Sequence, residues 1–162
     1  MRYRGICVLG LVAASFWLAP PAPTAENVLA PNFIGRQTDG QLFRLKDISG
    51  PKVVNFFLDT CLPCIAELPE LAALEDKYTN VRFIAVHIEQ KPEKAIVDFL
   101  ARLKAHPDRV VIGNERIAEM YGVKSIPHTV AMDGDNIIAL SLAGYTKNNI
   151  SALEKWLGQM SK

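Results

Sequence analysis

Cys61-Leu62-Pro63-Cys64 follows directly on Lys52–Leu58 (KVVNFFL) and the dipeptide Asp59-Thr60. A nearly continuous apolar, β-rich run of this kind reads as a buried central strand. Beyond the cysteines the period changes. Ile65, Leu68, Leu71, Leu74 and Tyr78 recur at spacings of three and four, which predicts an amphipathic helix, with a kink at Pro69. Cys61 therefore falls at or just before a helix N-terminus, and Cys64 one turn inside. Free backbone N–H groups and the positive end of the helix dipole stabilise a thiolate there. Three-residue helical spacing brings the two sulfurs within bonding reach. Pro63 stands in the first turn, where a missing N–H costs no intrahelical bond.

The remaining pattern places this junction in an α/β domain. Asn32–Ile48 carries the turn Gln37-Thr38-Asp39-Gly40 between short apolar stretches and predicts a leading β-hairpin. Val81–Ile88 reads as a second buried strand, and Pro92–Lys104 as a helix burying Ile96, Phe99, Leu100 and Leu103. A short strand (Arg109–Ile112) and a short helix (Glu115–Tyr121, ended by Gly122) follow. Ser125-Ile126-Pro127-His128 opens a strand, Thr129–Met132. Asp133-Gly134-Asp135 turns it into Asn136–Leu142, and a last helix starts near Thr146. A βαβ opening and a ββα close describe a central mixed β-sheet flanked by helices on both faces, with an N-terminal β-hairpin extension.

The chain has 162 residues, 49% of them hydrophobic and 22% charged, with net charge +1. These values fit one soluble domain over residues 26–162. No basic stripe is present outside the N-terminus, so nucleic acid is not an expected partner. Arg2 and Arg4 precede an apolar run from Gly5 to Ala19, followed by Pro20-Pro21-Ala22-Pro23-Thr24-Ala25. Residues 1–25 read as a signal peptide or as a membrane anchor with a Pro-rich stalk. Both readings export the domain to a disulfide-tolerant, periplasmic or otherwise extracytoplasmic compartment. Of three cysteines, Cys7 lies inside the apolar run. One close pair is too few for a disulfide scaffold, so Cys61 and Cys64 are the chemistry itself or a ligand set.

The leading APNF (Ala30–Phe33), the turn TDGQ, the strand VVNFF, CLPCIAELPEL and YGVKSIPHTVAMDGDN together resemble the TlpA/ResA/CcmG branch of the thioredoxin superfamily. The resemblance spans about Ala30 to Trp156. It implies a thioredoxin fold and a protein-disulfide oxidoreductase with no cofactor beyond a Cys61–Cys64 redox-active disulfide. It also implies protein thiol or disulfide substrates, apocytochrome c among them, and a membrane or periplasmic partner that recycles the pair. By the same resemblance Pro127 is a cis-proline facing the pair, and Ile126 offers backbone groups that hold a substrate segment as an added strand. Thr60, Leu62 and Pro63 flank the nucleophile as substrate contacts.

Several positions depart from that pattern. Thr60 replaces a Trp, Leu62 a Gly and His128 a Thr, while Asp59 lies two residues before Cys61. A carboxylate beside Cys61 opposes thiolate formation, and a cationic His128 assists it. Asn55 occupies a position where other thioredoxins carry a buried acid. Glu89, at the end of the second strand, is the candidate replacement, with a solvated Glu as the alternative reading. His87 alternates with Phe83 and Ala85 and reads as a core histidine. A second functional reading is a copper or metal chaperone using Cys61, Cys64 and His128. A third is a peroxidase, which would carry a Thr three residues before its nucleophile, where this chain has Leu58.

Overall fold

The computed structural model describes residues 28–161, so the expected signal or anchor of residues 1–25 and Cys7 lie outside the described residues. Among the described residues there are eight strands and four helices, and all but the first strand follow one another in the predicted order. The strands are β1 (Val28–Leu29), β2 (Ile34–Gln37), β3 (Leu42–Arg44), β4 (Lys52–Phe57), β5 (Arg82–His87), β6 (Arg109–Ile112), β7 (His128–Met132) and β8 (Ile137–Ala143). The helices are α1 (Leu62–Lys77), α2 (Glu93–Arg102), α3 (Glu115–Met120) and α4 (Lys147–Met160). They form one mixed sheet in the order β1-β8-β7-β4-β5-β6-β2-β3. β4, β5 and β6 run parallel, and the remaining pairings are antiparallel.

The leading hairpin is β2–β3, and it extends the sheet by pairing β2 with β6. The two-residue strand β1, which pairs with β8, has no signal of its own in the sequence. At two residues it is too short to show a period.

Every residue of β4 is buried, as its apolar run requires of a central strand. Alternation along the strand assigns side chains to two faces. Val54 and Phe56 join Val130, Ile117 and Tyr121 in a core under α3 and the hairpin. On the opposite face Val53 meets Leu71, Leu153 and Trp156 of α1 and α4. Phe57 on that face packs with Cys64, Leu68, Ile96 and Phe99 of α1 and α2. Trp156 is thus a packing residue.

α1 runs unbroken past Pro69. Asn114 and Thr146 cap α3 and α4 by accepting hydrogen bonds from the N–H groups of Ile117 and Asn149. Two of the turns with positive-φ backbone bear on the site's frame. Gly122 (φ 66°) closes α3, and Asn136 (φ 64°) completes the β7–β8 turn.

Candidate redox site

Cys61 is the N-cap of α1, in extended backbone, and Cys64 lies one turn inside. The two are joined as a disulfide, with Cα atoms 5.2 Å apart. The Cys64 N–H points at Cys61 Sγ, 3.2 Å away. After reduction the same N–H and the open first turn of α1 face the Cys61 sulfur, where negative charge is stabilised. Exposure divides the pair. Cys64 is 0% exposed and belongs to the core cluster with Phe57 and Leu68, whereas Cys61 is half-buried at its rim. Only Cys61 is open to a macromolecular partner.

Three of the residues expected from the sequence to contact substrate adjoin Cys61 in the chain. Thr60, Leu62 and Pro63 are exposed, Leu62 at 78%. Ile126 is half-buried against the same cluster as Cys61. The Ile126–Pro127 peptide bond is cis, and Pro127 is buried, its carbonyl accepting from the Gly144 N–H at 2.8 Å.

Glu89 is exposed at the end of β5, where its carbonyl lies 2.8 Å from His87 Nδ1. The solvated reading of its side chain is the one the structure gives. The buried acid is Glu67, three residues after Cys64 and only 2% exposed. In an α-helix that spacing puts Glu67 on the same face as Cys64. The β4–β7 register sets Asn55 opposite Thr129, and both close on Glu67. Asn55 Nδ2 donates to Glu67 Oε2 at 2.7 Å and contacts Thr129 Oγ1 at 2.9 Å. Thr129 Oγ1 lies 3.4 Å from both carboxyl oxygens.

Burial pushes the Glu67 carboxyl up to about 7, the bonds from Asn55 and Thr129 pull it down only in part, and the nearby Glu70 charge adds to the rise. The sequence carried a signal for this residue. Cys64, Leu68 and Leu71 form the buried stripe of α1, and Glu67 stands inside that stripe at helical spacing.

His87 is fully buried, edge-on to Phe57, with its ring nitrogens near Glu89 O and Asp59 Oδ1, as a satisfied core histidine requires. His128 does not reach the cysteines' side of the sheet. Thr129 faces Glu67 on α1, so its neighbour His128 faces the other way, bonded to Ser141 Oγ at 2.9 Å. Burial lowers its pKa, which favours the neutral imidazole. Both the cationic assistance expected of His128 and the three-ligand copper set are therefore lost. Among the described residues no group of three His, Cys, Asp or Glu side chains is placed to hold a metal ion. Leu58 supplies only its carbonyl to the turn, accepting from the Cys61 N–H at 3.2 Å, so it brings no hydroxyl for peroxide.

The AhpC/TSA family pattern matches residues 27–141. The chain belongs to the AhpC/TSA family. Within that frame it is similar to "Thioredoxin Asp f 28" of Aspergillus fumigatus, 36% identical over 94 residues, covering 52% of this chain and 86% of that protein. It is also similar to the "Thiol-disulfide oxidoreductase ResA" of Bacillus subtilis (strain 168), 25% identical over 142 residues, covering 86% of this chain and 79% of that one. Among solved structures, one assigned to a thiol:disulfide interchange protein DsbE from Chlorobium tepidum superposes with TM-score 0.76 at 23% identity. That match covers 85% of this chain and 98% of the other, and it shows the thioredoxin fold.

Proposed function

We propose that this protein is a thiol–disulfide oxidoreductase that reduces disulfides of exported proteins through a Cys61/Cys64 dithiol–disulfide cycle. The observation that carries this reading is the exposed/buried division of a bonded cysteine pair at the N-terminus of α1, with one buried carboxyl beside the inner cysteine. The Cys61 thiolate attacks a substrate disulfide, forms a mixed disulfide and expels one substrate thiolate, which takes a proton. Cys64 then gives its proton to Glu67 and attacks Cys61 Sγ. The second substrate thiolate leaves and is protonated. Two electrons pass to the substrate, and the domain is left with the Cys61–Cys64 disulfide, which an external dithiol partner reduces.

The reducing direction rests on what surrounds the thiolate. An oxidant of this fold needs a strongly stabilised reduced form. Here the residues between the cysteines are Leu62 and Pro63, and His128 is turned to the other face. Residues 1–25 serve as the signal or anchor that exports residues 26–162, and apocytochrome c cysteines fall within the substrate class. Among the described residues no helix is long and apolar enough to cross a membrane.

Equilibration of the full chain in defined dithiol buffers tests the direction. We expect a potential below about −200 mV, in the range of reducing thioredoxin-fold proteins. A value near about −120 mV, typical of a strong oxidant, would overturn it.

A further inference from the structure

We propose that Asp59, His87 and Lys91 form a charge-balancing clamp that sets the acidity of Cys61, Asp59 holding it back and Lys91 restoring it. The inference rests on the reading of Cys61 as the attacking thiol. Cys61 closes a turn whose two middle residues are Asp59 and Thr60, through its N–H bond to Leu58 O. Asp59 is therefore tied to Cys61 by one short, hydrogen-bonded loop. Its carboxylate is gripped from β5 and the segment that follows. Oδ1 lies 3.3 Å from His87 Nε2, and Oδ2 accepts from Lys91 Nζ. The Asp59 and Lys91 side chains are 20% and 30% exposed, so the pair is partly withdrawn from water and holds a fixed geometry. His87, fully buried against Phe57, is a rigid wall behind them.

Burial alone would raise the pKa of Asp59, but the hydrogen bonds and charges of Lys91 and His87 outweigh it and bring the carboxyl below its usual range. Asp59 therefore stays ionised throughout the working range of a thiol, as a standing charge and not a switch. The other charged groups around the pair have partners or face elsewhere. Glu67 of α1 is beneath Cys64 with Asn55. From α2, Glu93 pairs with Arg36 and Lys94 with Asp98. Glu89 and, on the cis-proline loop, Lys124 are exposed to solvent, while His128 of β7 is bonded to Ser141. Asp59 and Lys91 are thus the opposed charges that geometry fixes at the Cys61 turn. A carboxylate that in sequence opposes the thiolate is offset in space by an ammonium group from 32 positions later.

The two charges make opposite predictions, which a merely structural role does not. In the full chain carrying Cys64→Ala, the Cys61 thiolate is followed by its ultraviolet absorbance as pH is raised. Asp59→Asn leaves Lys91 uncompensated and should raise the thiolate population at a fixed sub-saturating pH by roughly threefold. Lys91→Met leaves Asp59 uncompensated and should lower it by roughly as much. The double variant should return close to the parent, and 1 M salt should shrink both shifts. If the clamp only braces the turn, both single variants move the population the same way, or neither moves it, and the proposal is overturned. Adduct formation with a small aromatic disulfide is measured in parallel. A Cys64→Ala parent that forms no adduct at any pH refutes Cys61 as the attacking thiol, while the titration still decides the clamp.

Discussion

Two carboxyl groups flank the redox pair, Asp59 on the turn before Cys61 and Glu67 one helical turn after Cys64, and their environments drive them apart. Asp59 is partly open and bound by a lysine ammonium and a histidine ring, so its pKa is lowered. Glu67 is enclosed and bound by an amide and a hydroxyl, which carry no charge, so its pKa rises to about 7. The same functional group becomes a fixed anion in one place and a titratable acid near neutral pH in the other. The deciding factor is whether a full positive charge offsets the cost of burial. A base that serves a thiol near neutral pH needs the second environment, and a site that tunes a thiolate without titrating needs the first.

The comparison breaks most strongly at Glu67. Glu67→Gln keeps the shape and one hydrogen-bonding oxygen but cannot take the Cys64 proton. We expect resolution of a preformed mixed disulfide to slow by about 100-fold, with formation of that disulfide nearly unchanged. Stopped-flow separation of the two steps checks this, and equal slowing of both would remove Glu67 from its assigned role.

Stability should show the same group. A carboxyl whose pKa is raised on folding holds its proton in the folded protein between about 4.5 and about 7, where the unfolded chain has lost it. Stability is therefore full below that window and falls as pH rises through it, by about 3 kcal/mol for Glu67. Glu75 is pushed to about 7 by burial as well and adds in the same direction. Denaturant unfolding of the oxidised protein at pH 5 and pH 8 should show a smaller difference in Glu67→Gln than in the parent.

Smaller effects sharpen the contrast. Thr129→Val removes the hydroxyl beside Glu67 and should cost about 1 kcal/mol, measured by the same unfolding experiment. Glu70 raises the Glu67 pKa through its charge while itself paired with Lys147 and Tyr145. Glu70→Gln should move the midpoint of the resolution-step pH profile slightly toward acid, the smallest of these shifts. A shift toward alkali would contradict the sign of the coupling.

Most of the fold was legible in the sequence because its elements announce themselves locally. The apolar run of β4, the three-and-four period of α1 and the Asp133-Gly134-Asp135 turn each match the structure within a residue or two. The redox pair was legible for the same reason, since motif and junction are contiguous. What depends on register was not. Glu67 stands in the apolar stripe of α1, but its partners Asn55 and Thr129 come together only across β4 and β7. Glu89, for which the sequence left a functional and a solvated reading open, is exposed just beyond the end of β5. His128 shows the cost of ignoring strand parity. It follows Pro127 directly, yet its side chain points to the face away from α1. The offset of Asp59 by Lys91 joins two loops and has no local pattern at all.

The central claim is that Cys61 attacks and Cys64 resolves. The direct test is to mix reduced full-length Cys64→Ala and Cys61→Ala variants separately with a disulfide-bearing protein and to count covalent adducts by non-reducing electrophoresis and mass spectrometry. The account predicts a stable mixed disulfide through Cys61 in the Cys64→Ala variant and none above background in the Cys61→Ala variant. Equal trapping by both, or trapping through Cys64 alone, would contradict it.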